Sequence, residues 1–177
     1  SEDGTVTVSK TISGTDLENV FDITLQVQTN QNISEVANEP DMAVVIVMDI
    51  SNTMNTNFCG VTRYAAAMTA AEQFLDSFAD NNTLGVSKVG YVAFNTDAHK
   101  IFGLQKCTNE NDANALKNTM RTETGNIINA KDYNSSHSRF TNIEAGLAMA
   151  SDMLNAVTNK NKFIIFLSDG FPTTYIS

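Results

Sequence analysis

Apolar positions along the chain fall into two textures, and the change comes near Pro40. Before it, Val6 and Val8 alternate with Thr5, Thr7 and Ser9, and Phe21, Ile23, Leu25 and Val27 alternate with Asp22, Thr24, Gln26 and Gln28. This period-2 patterning predicts two half-buried antiparallel strands, joined by a turn around Gly14-Thr15-Asp16. Two strands alone are marginal in water, so such a hairpin calls for a partner surface. Residues 30–41 read as a polar connector ending in Glu39-Pro40-Asp41.

From Met42 the pattern changes. Met42–Met48 is continuously apolar, the mark of a strand buried on both faces of a parallel sheet. Thr62–Ala79 carries Tyr64, Met68, Ala71, Leu75 and Phe78 at helical spacing and stops at Asp80-Asn81-Asn82. Val86–Phe94 reads as a second strand and Lys100–Leu104 as a third, at the sheet edge. Asp112–Arg121 reads as a short helix, followed by a polar loop over 122–140. Thr141 opens another helix, with Ile143, Leu147, Ala150, Leu154 and Val157 on one face and Lys160 and Lys162 at its end. Phe163–Leu167 reads as a fourth buried strand. Strands alternating with helices, several of them continuously apolar, predict an α/β domain with a doubly wound, mostly parallel sheet, preceded by the β-hairpin.

Composition narrows the function classes. The chain has 177 residues and 11 Lys+Arg against 20 Asp+Glu, a formal net charge of -9. That balance argues against a nucleic-acid or anionic-membrane surface, both of which need clustered cations, and suits a cation or a basic partner. No apolar run approaches the ~20 residues needed to cross a bilayer. The start, Ser1-Glu2-Asp3-Gly4, carries no signal-peptide pattern, as expected of an intracellular protein or of a mature or trimmed one. Cys59 and Cys107 are too few for a disulfide scaffold and too far apart for a CxxC motif. They are two thiols, or one bridge if the protein is secreted.

The candidate chemistry sits where strands end. Asp49-Ile50-Ser51-Asn52-Thr53 follows the first buried strand, and Ser168-Asp169-Gly170 follows the last. Open α/β sheets bind ligands outside the carboxyl ends of their strands, where strand order reverses. Asp49, Ser51 and Thr53 alternate, so one loop can turn three oxygens inward. Such hard oxygen donors, without nearby His or thiolate, favour Mg²⁺, Mn²⁺ or Ca²⁺ over Zn²⁺. Each piece also has an ordinary explanation. An Asp or Ser after a strand often caps the next turn, Thr141-Asn142-Ile143-Glu144 matches a capping box, and Asp-Gly is a common turn. Two hits at strand ends, with Thr141 opening a helix between them, are together what singles the site out.

Three segments resemble the von Willebrand factor type A family, in the family's order: VVIVMDISNTM at Val44–Met54, FTNIEAGLAM at Phe140–Met149 and FIIFLSDG at Phe163–Gly170. The resemblance covers roughly residues 42–177 and implies a Rossmann-like domain. That family's metal-ion-dependent adhesion site has a DxSxS loop, a Thr and an Asp. Carried over, these are Asp49, Ser51, Thr53, Thr141 and Asp169, with Thr53 where Ser is commoner. The resemblance implies binding without catalysis: an open position on a bound Mg²⁺, or on Mn²⁺ or Ca²⁺, accepts a carboxylate from a partner protein. In that family two further strand–helix units normally follow the SDG segment, so the domain is expected to be incomplete at its carboxyl end.

The hairpin and connector, residues 1–41, resemble the layout of Gram-positive pilus-tip and cell-wall-anchored adhesins, in which the A domain is inserted into a β-sandwich. The resemblance implies an extracellular, cell-surface module that binds a matrix or host surface protein through an acidic side chain, with pilus backbone subunits as further partners. It also gives Lys10 two readings, a solvated strand lysine or one member of an intramolecular isopeptide bond, and makes a Cys59–Cys107 bridge credible. Phe58, Tyr133, His137 and Phe140, in or beside the loops at that end, are either ligand contacts or local packing.

Other classes fit less well. An acyl- or phosphoryl-transfer enzyme of the haloacid-dehalogenase kind needs a second acid where Ser51 stands. A nucleotide-binding domain needs a Gly-rich phosphate cradle, and neither GxxxxGK[ST] nor GxGxxG occurs. The serious alternative is an intracellular A domain of a chelatase or ATPase-associated complex.

Overall fold

The computed structural model describes residues 5–14, 21–30, 40–130, 139–170 and 172–174. The chain divides into two compact units, residues 1–38 and 39–177.

In the first unit, β1 (Thr5–Gly14) pairs antiparallel with β2 (Phe21–Asn30), in register from Thr5 opposite Asn30 to Gly14 opposite Phe21. Lys10 lies within β1, opposite Leu25.

The second unit begins with β3 (Met42–Asp49). A single turn of 3₁₀ helix (Asn52–Asn55) and a two-stranded ribbon, β4 (Asn57–Phe58) and β5 (Val61–Thr62), lead into α1 (Arg63–Asp80). The ribbon turns on Cys59 and Gly60, at φ 52° and 88°, the left-handed pair that a two-residue type I′ hairpin loop requires. Thr62 caps α1, its hydroxyl accepting the Ala65 amide. Next come β6 (Lys88–Phe94), β7 (Ala98–Gln105), α2 (Glu110–Asn129), α3 (Ile143–Asn155) and β8 (Asn161–Leu167).

The sheet order is β7-β6-β3-β8. β3 runs parallel to both β6 and β8, whereas β7 is antiparallel to β6. Strand order therefore reverses at β3: the chain leaves it through α1 to β6 on one side and returns through α3 to β8 on the other. β3 is apolar from Met42 to Met48 because both of its faces are covered. Val44, Ile46 and Met48 pack with Met68, Leu75 and Phe78 of α1 and with Leu116 and Met120 of α2. Ala43, Val45 and Val47 pack with Ala150 and Leu154 of α3. Each of the larger buried side chains among them, from valine upward, contributes about 1.5–3 kcal/mol. Gly146 makes the α3 contact close, since a Cβ there would stand 2.9 Å from the Phe94 ring and 3.1 Å from Val47.

Several expectations change. α2 runs to Asn129, so residues 122–129 are helical and not loop; Met120 and Thr124 are fully buried and continue its inner face. α3 starts at Ile143 and ends at Asn155, which leaves Val157, Lys160 and Lys162 outside it. Its inner face uses Gly146 where Leu147 was expected, and Leu147 is exposed. β8 has a strand on one side only among the described residues. Phe163, Ile164 and Phe166 are accordingly 49%, 37% and 38% exposed rather than buried. No helix among the described residues is long and apolar enough to cross a membrane.

Candidate functional site

The carboxyl ends of β3 and β8 lie side by side because Met48 pairs with Leu167. Asp49 closes β3 and is fully buried. One of its oxygens accepts the Ser51 amide at 2.8 Å, and the other accepts the Ser168 hydroxyl at 2.7 Å. Burial pushes the Asp49 carboxyl above its usual range; the bonds from Ser51 and Ser168 pull it back, and the charge of Asp169 pushes further up.

The loop after Asp49 folds tightly. The Met54 amide bonds to the Ser51 carbonyl at 3.0 Å, which starts the 3₁₀ turn and sets the Ser51 and Thr53 hydroxyls 3.2 Å apart. The Thr53 hydroxyl then donates to Asp169 Oδ1 at 2.9 Å. Asp49, Ser51, Thr53 and Asp169 thus form one connected cluster. Asp169 Oδ2 accepts Arg63 Nη1 at 2.5 Å, and the Asp169 side chain is only 10% exposed.

Thr141 reaches the same end of the sheet by a separate route. Its neighbour Asn142 donates its amide to the Asn95 carbonyl at 2.7 Å, just beyond β6, and its side-chain amide to Thr96 at 3.0 Å. The Thr141 amide donates to the Thr173 hydroxyl, and the Thr173 amide to the Thr141 carbonyl. The expected capping box does not form: Asn142, not Thr141, caps α3, accepting the Ala145 amide at 3.0 Å. Relieved of that task, the Thr141 hydroxyl donates to no described residue although Thr141 is 97% buried.

These residues suit a hard divalent cation. Two carboxylates and the Ser51 and Thr53 hydroxyls are bonded together at the strand ends. Thr141, at the same end of the sheet, has a buried hydroxyl with no acceptor among the described residues, an unmet polar group of the kind that costs about 1–3 kcal/mol. A cation would also answer the buried charge of Asp49.

The two cysteines are not joined: Cys59 is exposed and Cys107 buried, both as free thiols. The bridge that the resemblance made credible fails on strand direction. β7 is antiparallel, so it starts at Ala98 beside Phe94 and finishes at Gln105 beside Val89. Cys107 is carried to the opposite end of β6, about 20 Å away, where its carbonyl accepts Asn82. A disulfide needs Cα atoms within about 7 Å.

Phe140 is 42% exposed. Tyr133 and His137 lie outside the described residues, as do the side chains of Phe58 and Lys10. Sequence reasoning missed Ser168, Arg63 and Thr173. Ser168 had a signal, its place between a buried strand and Asp169; the other two meet their partners only through the fold.

The sequence profile of the von Willebrand factor type A domain matches residues 44–171. No curated protein matches the chain in sequence. Among solved structures, the chain is similar to three N-terminal domains of the type V pili tip protein Mfa5 from Porphyromonas gingivalis, with TM-score 0.59 and 20% identity over 97% of this chain and 27% of that one. It is similar to the pilus adhesin SpaC from Lactobacillus rhamnosus GG, with TM-score 0.54 and 27% identity over 95% of this chain and 20% of that one. The adhesive tip pilin GBS104 from Group B Streptococcus agalactiae gives TM-score 0.56 and 18% identity over 76% of this chain and 46% of that one. The chain thus spans about a quarter of the Mfa5 chain and a fifth of the SpaC chain. With the profile matched from the middle of β3 to just past Gly170, and the strand-end cluster inside that span, the chain belongs to the von Willebrand factor type A domain family.

Proposed function

We propose that this is a non-catalytic, cell-surface adhesion module that binds a matrix or host surface protein through a divalent metal ion. The observation that carries the reading is the cluster at the ends of β3 and β8, in which Asp49, Ser51, Thr53 and Asp169 are hydrogen-bonded into one unit. Asp49 and Asp169 would supply charge, and Ser51, Thr53 and Thr141 neutral hydroxyl oxygens. Mg²⁺, or Mn²⁺ or Ca²⁺ in its place, when bound supplies an open coordination position for a carboxylate of the partner protein. The protein's own part is to hold the oxygens in place: Ser168 and the Ser51 amide fix both oxygens of Asp49, and Thr53 and Arg63 fix both oxygens of Asp169. With only two anionic ligands, the site leaves a bound cation electrophilic enough to take a third.

Similarity to pilus adhesins supports the adhesive reading and a cell-surface setting, with pilus subunits as further partners. The test is binding of the protein to an array of immobilised matrix proteins, with Mg²⁺ and with EDTA, beside the Asp49→Ala variant. EDTA and Asp49→Ala are each expected to abolish capture while the fold persists. Capture indifferent to both would overturn the mechanism.

A further inference from the structure

Arg63 stands where helix energetics give it no reason to be. It is the first residue of α1, at the positive end of the helix dipole, where a cation is disfavoured. The first turn of α1 contains no acidic residue to balance it, and Thr62 already caps the helix. Its partner is 106 residues away: Nη1 donates to Asp169 Oδ2 at 2.5 Å, while Thr53 holds the other Asp169 oxygen. The Arg63 side chain is 40% exposed against 10% for Asp169, so the guanidinium covers the carboxylate and keeps donors open to solvent.

We propose that Arg63 sets the charge, and with it the ligand preference, of the strand-end site. This rests on the metal-binding reading above and deepens it. Asp49 and Asp169 together carry two negative charges when ionised, and Arg63 offsets one of them. A divalent cation added to that trio leaves an excess of one positive charge, which an incoming carboxylate neutralises. Without Arg63 the same cation would be fully balanced by the two aspartates. It would be held more tightly, with less remaining attraction for an outside anion. Arg63 therefore exchanges cation affinity for anion capture, and it acts through Asp169 as a positioning and charge-setting residue.

The test is calorimetric titration of Mn²⁺ into the metal-free protein at low salt, for wild type, Arg63→Gln, Arg63→Met and Arg63→Lys. Removing the charge is expected to tighten Mn²⁺ binding on the order of tenfold, with the gain shrinking as NaCl is raised. Arg63→Lys keeps the charge and is expected to stay within about twofold of wild type. Acetate titrated into the Mn²⁺-loaded protein is expected to bind more weakly in both uncharged variants. A role confined to holding the loop would show the reverse, with Mn²⁺ binding weakened and no dependence on salt. Mn²⁺ binding by wild type that is unchanged or weaker in Arg63→Gln and Arg63→Met overturns this inference and leaves the metal site standing. Absence of Mn²⁺ binding in all four proteins removes both.

Discussion

The Ser168 hydroxyl donates to Asp49 Oδ2 at 2.7 Å, joining the ends of two adjacent parallel strands across 119 residues of sequence. Because Asp49 is fully buried, that bond is one of the few compensations its charge has. Ser168→Ala is expected to leave the oxygen unpaired and lower stability by about 1.5–3 kcal/mol, the worth of a hydrogen bond to a charged group. Mn²⁺ affinity should fall with it. Urea unfolding and calorimetry on the same preparation check both, and a variant as stable as wild type would show that the bond contributes nothing.

Thr141 offers a cleaner separation of stability from binding. Its hydroxyl donates to no described residue, so Thr141→Val, nearly the same shape, is expected to leave the metal-free melting temperature unchanged or slightly raised. The same variant should lose most of the stabilisation that millimolar Mg²⁺ or Mn²⁺ gives wild type. Thermal melts with and without metal read both outcomes. A large loss of metal-free stability would mean that the hydroxyl has a structural partner.

Cysteine chemistry follows from strand direction. Iodoacetamide is expected to modify Cys59 rapidly in the folded protein and Cys107 only on unfolding, since the first is exposed and the second buried. Burial, helped by the nearby Asp112 and Asp76 carboxylates, pushes the Cys107 thiol up to about 11. The folded state therefore holds this proton more tightly than the unfolded state, whose thiol sits near 9.0. The sign is fixed by linkage: this contribution to stability is fully present below pH 9 and is lost as pH rises through 11. Denaturant midpoints for wild type and Cys107→Ala, compared between pH 8 and pH 11, isolate it.

Two glycines should respond differently to a methyl group. At Gly146 an added Cβ would meet the Phe94 ring at 2.9 Å and Val47 at 3.1 Å, both side chains rooted in the sheet. Gly146→Ala is expected to cost about 1–3 kcal/mol by overpacking. At Gly90 the nearest atom, at 2.6 Å, is the terminal methyl of Met153, which can swing aside. Gly90→Ala should cost less, and paired unfolding curves give the order directly.

What was legible in the sequence was whatever local pattern could encode. The uninterrupted run of β3, the helical spacing of α1 and the hydroxyl-bearing loop that follows Asp49 each lie within one stretch of chain. Periodicity and strand-end position were therefore enough for the doubly wound sheet and for naming Asp49, Ser51 and Thr53. The end of α2 was not legible, because residues 122–129 look polar and continue the helix by burying Thr124 and packing Ile127 and Ile128 against the core.

The remainder was decided in three dimensions. Whether β7 runs with or against β6 depends on a loop of three residues, Asn95–Asp97, held by a bond from Asp97 to the Asn95 side chain. That choice alone sends Cys107 away from Cys59. The bonds from Arg63 to Asp169 and from Ser168 to Asp49 cross 106 and 119 residues. A chain pattern cannot state such contacts, because they exist only once the sheet has set β8 beside β3. Sequence by itself determined which oxygens could serve a cation. The tertiary structure decided which of them are held, which buried hydroxyl has no acceptor among the described residues, and which positive charge stands next to them, because burial and pairing belong to the packed sheet and not to any one segment.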